Sequence, residues 1–140
     1  MIAYFDTSAL VPLFINEPST GRCAQLWNEA SRVVSVRLLY PEARASLARA
    51  ERMGRVTRAE VAAAIVELDG IIAEVDHIEV TADLAHSAGE WADALGLRGY
   101  DAVHLAAAST VADTDLVVVT GDADLAAAAT SLGIAVALTT

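Results

Sequence analysis

The 140-residue chain has no lysine and a single cysteine, and each scarcity removes a class of chemistry. With Cys23 alone there is no intramolecular disulfide and no cysteine-rich metal site. A reducing cytosol suits such a chain. Cys23, at helical spacing from Leu26 and Trp27, is expected to pack as a small hydrophobe. All nine basic residues are arginines, whose forked guanidinium grips phosphate and carboxylate bidentately. No apolar stretch reaches, free of charges, the roughly 20 residues a membrane-spanning helix needs. The N-terminus lacks a basic segment and Asp6 interrupts its apolar run, so no secretory signal peptide is expected. A soluble, cytoplasmic protein that does not engage the membrane is the expectation. Positive charge is scarce overall: the net charge is −10, which argues against binding nucleic acid through bulk electrostatics. Nucleic acid remains compatible with a site where a divalent ion reverses the local field.

What is present alternates. A continuously apolar run of the kind a buried parallel strand shows occurs at Ile2–Phe5, and further strands are expected at Val33–Val36, His77–Val80, Leu116–Val119 and Ile134–Leu138, the last as an edge strand. Between them lie helical segments. Thr7 or Ser8 is placed to cap a first helix running through Leu10, Val11 and Phe14. Further helices are expected over Gly21–Ala30, around Glu42 with Pro41 near the start, and from Thr57 to about Val75. The last of these opens on the capping box Thr57-Arg58-Ala59-Glu60. Others are expected over Ala82–Leu95, Asp101–Ala112 and Asp122–Ser131. Alternating strands and helices mean an α/β domain with a central parallel sheet of four to five strands and right-handed crossovers. The length suits one domain spanning residues 1–140.

Five carboxylates carry the functional signal: Asp6, Glu42, Asp101, Asp122 and Asp124. Each sits where an apolar strand gives way to a helix, or early in a helix. An acid beside a buried strand is costly to ionise unless something compensates it. Parallel strands present their C-terminal ends to one crevice, so several such acids can converge there and call for a cation. Each also has a plainer reading: helix capping for Asp6 and Asp122, helix N-terminal charge for Asp101, a solvated helix glutamate for Glu42.

Four segments in order raise the combination above its parts: Tyr4-Phe5-Asp6-Thr7-Ser8-Ala9-Leu10, then Tyr40-Pro41-Glu42-Ala43-Arg44. After these come Gly99-Tyr100-Asp101-Ala102-Val103-His104-Leu105-Ala106-Ala107-Ala108 and Thr120-Gly121-Asp122-Ala123-Asp124-Leu125. Across essentially its whole length the chain resembles the PIN-domain ribonucleases, particularly the VapC-type toxins of toxin–antitoxin modules. Leu125 departs mildly, since the family often has an aromatic there. The resemblance implies a three-layer α/β/α PIN-like fold, in which Asp6, Glu42, Asp101 and Asp122 bind one or two Mg²⁺ or Mn²⁺ ions. It makes Asp124 an auxiliary metal acid, and Ser8 and Thr120 hydroxyls that orient the carboxylates. It further implies an endoribonuclease that hydrolyses RNA with metal-activated water, leaving 5′-phosphate and 3′-hydroxyl ends, neutralised by a cognate antitoxin and acting as a homodimer. Mg²⁺ prefers hard oxygen ligands, so a carboxylate pocket suits it.

Arg44, Arg49, Arg52, Arg55 and Arg58 form the one basic cluster. They read either as an RNA-tracking edge, with Arg44 the best substrate-binding candidate, or as a solvated helix face paired with Glu51 and Glu60. Of His77, His86 and His104, none is expected to ligate metal, although His104 lies one turn beyond Asp101. Val11, Leu13, Phe14, Leu26 and Trp27 are read mostly as core, with some lining a groove for an antitoxin peptide or dimer partner. Phospho-receiver and haloacid-dehalogenase folds also gather acids at strand ends, but both need a lysine this chain lacks. The remaining alternatives are a PIN nuclease acting in RNA processing or DNA cleavage, and a non-catalytic PIN scaffold that binds RNA or protein.

Overall fold

The apolar runs become strands of one sheet. A computed structural model describes residues 1–111 and 113–140. β1 (Ile2–Phe5), β2 (Arg32–Val36), β3 (Asp76–Ile78), β4 (Leu116–Thr120) and β5 (Ala135–Leu138) pair in parallel in the order β3-β2-β1-β4-β5. β5 takes the edge, as its short run predicts. β3 begins one residue earlier and ends two residues earlier than its apolar pattern suggests.

Helices cover both faces, and the period-two alternation of the central strands decides which residue meets which layer. Tyr4, Val34, Val36 and Val118 face α5 (Ala82–Leu95), α6 (Gly99–Ser109) and α7 (Ala123–Ser131). Ala3, Phe5, Val33 and Val119 face α1 (Thr7–Leu10), α2 (Thr20–Glu29), α3 (Leu39–Arg52) and α4 (Arg58–Ile72). The result is the expected three-layer α/β/α architecture around a five-stranded sheet. Alanine-rich α6 lies against this sheet with Ala102, Ala106, Ala107 and Ala108 all buried, because a methyl group allows close approach. Cys23 is fully buried in α2, and burial pushes its thiol pKa up.

Two local expectations are corrected. The first helix is a single turn, α1, followed by a 3₁₀ turn over Val11–Leu13, because Pro12 has no N–H to continue the ladder. Its cap is neither Thr7 nor Ser8 but Asp6, whose side chain accepts from the Ala9 N–H. By contrast the Thr57–Glu60 capping box forms with both of its reciprocal bonds. Pro41 falls in the first turn of α3, where its missing N–H removes no intrahelical bond. α6 runs over Gly99–Ser109, starting two residues before the expected Asp101 and ending before the expected Ala112, a residue that itself lies outside the described ones.

Chain order places the crossover between β1 and β4. The chain leaves β1 toward β2 and β3, then returns to the other side of β1 as β4. That switch point opens a crevice at the strands' C-terminal ends, where Asp6 and Asp122 follow directly.

Candidate active site

At the switch point a cavity of about 480 Å³ is lined by Asp6, Glu42, Asp101 and Asp122, with Arg98 and Arg55 among its walls. The four acids come from four places: the ends of β1 and β4 and the first turns of α3 and α6. Asp124, in the first turn of α7, is exposed and does not line the cavity, although its charge reaches Arg98.

Asp6 is the most enclosed of the four, 4% exposed. Its Oδ1 accepts from the Ser8 hydroxyl at 2.7 Å and the Ala9 N–H at 3.1 Å, while its Oδ2 accepts from the Thr120 hydroxyl at 2.6 Å. Burial raises the Asp6 pKa; the nearby His104 and these donors pull it part of the way back. Thr120 is itself an acceptor, taking the Asp122 N–H at 2.9 Å, and the Ser8 hydroxyl accepts the Gly121 N–H at 2.8 Å. Two hydroxyls thus tie the end of β1 to the end of β4. Gly121 is required between them, since a Cβ there would lie 2.8 Å from Thr139 Oγ1 and 3.5 Å from Ser8 Oγ.

Asp122 combines capping with a place in the cavity. Its Oδ1 accepts from the N–H groups of Asp124 and Leu125, at 2.9 and 3.1 Å, and so caps α7. Its Oδ2 accepts from Arg98 Nη2 at 2.9 Å. Asp101 takes the same guanidinium through Nε at 2.9 Å. Arg98 stands at the N-cap position of α6, and the two carboxylates hold its pKa above the usual arginine value.

Glu42 Oε1 lies 2.8 Å from His104 Nε2, and His104 Nδ1 lies 2.8 Å from the Tyr4 hydroxyl. His104 is 3% exposed, more deeply buried than its position beyond Asp101 suggests. His86 is exposed and pairs with Glu90, and His77 contacts the Ile72 carbonyl.

The sequence reading passed over Arg98, Arg55 as a cavity residue, and Glu17, which also lines the cavity. A signal existed for Arg98: it precedes Asp101 by three residues at a helix start, the spacing of an ion pair. None existed for Glu17, which arrives from a turn. Arg44 is placed elsewhere, donating to the Tyr40 hydroxyl at 2.9 Å and lying over that ring. Arg58 pairs with Glu51, whereas Glu60 is engaged in capping.

The donor set suits a hard divalent cation in kind, being all carboxylate oxygen. As placed, no three Asp, Glu, His or Cys side chains among the described residues stand close enough together to hold one. Arg98 holds one oxygen of Asp101 through Nε and one oxygen of Asp122 through Nη2.

Comparison with known proteins identifies the family and the fold. Residues 3–131 match the PIN domain family. Ribonuclease VapC45 of Mycobacterium tuberculosis is 40% identical over 136 residues, 97% of this chain and 94% of the relative. The crystal structure of Mycobacterium tuberculosis VapC20, described as a sarcin-ricin loop cleaving toxin, superposes with a TM-score of 0.68 at 23% identity. It covers 90% of this chain and 94% of that one. A toxin–antitoxin complex from Klebsiella pneumoniae superposes with a TM-score of 0.61 at 18% identity, covering 89% and 90%. The two structures establish the fold; the sequence match and the 40% identical relative establish kinship. The chain belongs to the PIN-domain family and, within it, to the VapC-type ribonucleases.

Proposed function

We propose that this protein is a divalent-metal-dependent endoribonuclease, the toxin of a toxin–antitoxin pair. The observation that carries the reading is the convergence of Asp6, Glu42, Asp101 and Asp122 on one cavity that also presents Arg98 and Arg55. Kinship with VapC45 supports RNA as the substrate, and the Klebsiella complex is the basis for an antitoxin partner. A homodimeric, cytoplasmic protein folded as one domain over residues 1–140 completes the proposal. No helix among the described residues is long and apolar enough to cross a membrane.

Asp6, Glu42, Asp101 and Asp122 would hold Mg²⁺ or Mn²⁺, with Asp124 contributing from outside the cavity wall. When bound, the ion supplies the positive charge that polarises water and neutralises the scissile phosphate. The remaining work falls to side chains already in place. Ser8 and Thr120 hold Asp6 in one orientation by donating to its two oxygens. Arg98, which lines the cavity, would grip two phosphate oxygens bidentately wherever its contacts to Asp101 and Asp122 are given up. Arg55, across the cavity, adds a second positive charge for the backbone of a single strand. One divalent ion and two arginines would together offset the charge of the four carboxylates, so the negative surface charge would matter less at the cavity.

The test is cleavage of RNA and DNA by protein purified free of host nucleases, with Mg²⁺, with Mn²⁺ and with EDTA. RNA cleavage with either ion, lost in EDTA and in Asp101→Asn, is expected. Equal cleavage by Asp101→Asn and wild type would overturn the reading.

A further inference from the structure

Glu42 is held differently from the other three acids. Asp6 accepts from two hydroxyls and an N–H, Asp122 from two N–H groups, and Asp101 from a guanidinium. Glu42 has a longer side chain and one more rotatable bond, yet it is neither a cap nor an arginine partner. Its side chain meets Nε2 of His104. Histidine in turn is anchored from the opposite side by Tyr4, whose ring lies edge-on at 5.8 Å between centroids and 84° between planes. The line runs from β1 through α6 to α3, from fully buried Tyr4 to a Glu42 carboxylate 23% exposed at the cavity.

The proton positions follow from the surroundings. The Glu42 carboxylate can only accept, so Nε2, 2.8 Å from its Oε1, carries a proton. In a neutral ring Nδ1 is then the acceptor, and the Tyr4 hydroxyl donates to it. Both ring nitrogens of a buried histidine need polar partners, and here one of the two partners is a carboxylate that lines the cavity.

We propose that His104 is a positioning residue: its Nε2–H fixes the Glu42 carboxylate so that it faces the cavity, and Tyr4 fixes the tautomer that makes this possible. The inference rests on the reading of Glu42 as a metal-holding acid. It adds a dependence of that acid on a buried histidine from α6, the helix that also carries Asp101.

Three variants separate positioning from packing. His104→Leu keeps bulk and removes the donor, while His104→Gln carries an amide N–H near the place of Nε2. Calorimetric titration with Mn²⁺ and steady-state RNA cleavage are read on both, with circular dichroism as the folding control. His104→Leu is expected to weaken Mn²⁺ binding and lower kcat by about 10- to 100-fold, leaving KM for RNA little changed. His104→Gln should recover most of both losses. In a Glu42→Ala background, His104→Leu should leave Mn²⁺ affinity unchanged, because the group it positions is gone. Equal damage from Gln and Leu, or an undiminished effect of His104→Leu in the Glu42→Ala background, would overturn the proposal. Nitrogen-15 spectra of wild-type protein give a reading independent of folding of the variants: an Nε2–H tautomer supports the arrangement and an Nδ1–H tautomer contradicts it. Wild-type protein that binds no Mn²⁺ but shows the Nε2–H tautomer would sink the functional reading alone.

Discussion

Arg98 Nη2 lies 2.9 Å from Asp122 Oδ2, although 24 residues separate them in the chain, and the same guanidinium meets Asp101. This arginine is the counter-charge shared by two acids of one cavity. A metal ion held by these acids would compete with the guanidinium for the same oxygens. Arg98→Ala should bind Mn²⁺ several-fold more tightly by calorimetry while its KM for RNA rises, because the phosphate contact is lost with the competitor. Weaker Mn²⁺ binding by Arg98→Ala would show that the arginine supports the metal site instead.

Thr120 offers a sharper case because its hydroxyl is fully buried and works in both directions. Thr120→Val keeps the shape but leaves the Asp122 N–H without its acceptor and Asp6 Oδ2 without its donor. A loss of about 1–3 kcal/mol in unfolding free energy is expected for such an unsatisfied buried group. Thr120→Ser should retain most of the stability, since it keeps the hydroxyl. Urea denaturation of the three proteins decides it, and near-wild-type stability in Thr120→Val would disprove the two-way role.

Asp6 links the site to pH. Its folded pKa is raised, so the folded chain holds this proton more tightly than the unfolded chain does. Stability from this group is complete below the unfolded value of about 3.9 and is lost as pH rises through the folded pKa. In EDTA, Asp6→Asn should therefore gain on wild type as pH is raised from acid to neutral. Excess Mg²⁺ should reverse the order, because only the carboxylate gains from the ion. Urea midpoints that run parallel across pH for the two proteins would contradict the assignment.

Metal binding itself has a thermal signature. A ligand present at about 100 times its dissociation constant stabilises the folded state by roughly 2.7 kcal/mol. Millimolar Mg²⁺ should accordingly raise the melting temperature by several degrees, with a much smaller rise in Asp101→Asn. No shift in the wild type would count directly against a metal site.

Gly121 tests how tightly the strand ends are joined. Ala at this position brings a Cβ within 2.8 Å of Thr139 Oγ1, and Thr139 is itself buried. Gly121→Ala should cost about 1–3 kcal/mol, the range for an overpacked site. Adding Thr139→Ala should return most of it by removing the clashing atom. A double variant no more stable than Gly121→Ala would place the strain elsewhere.

Much of this molecule is legible without coordinates. The apolar runs at residues 2–5, 33–36 and 116–119 have one low-energy use, as strands buried on both faces, and alternation with helices makes the sheet parallel. The capping box at Thr57 is local chemistry and forms as read. Asp6, Glu42, Asp101 and Asp122 are visible as candidates because each sits beside an apolar strand or at a helix start. Local reading leaves a choice open where two local signals compete. Thr7 and Ser8 are good caps, yet Asp6 takes that role and leaves the Ser8 hydroxyl to orient it.

What the amino-acid sequence alone determined is therefore the set of elements and the acids at their ends, since both follow from short-range preferences and burial. Tertiary structure alone decided which partners those acids have. Arg98, Thr120 and His104 reach Asp122, Asp6 and Glu42 across 24, 114 and 62 residues, distances over which no spacing rule operates. The sheet order β3-β2-β1-β4-β5 opens the crevice between β1 and β4. Partial charges there are satisfied by whatever the fold brings within about 3 Å. Five similar-looking acids in the chain become four in one cavity and one outside it, and the four are held by four different sets of donors.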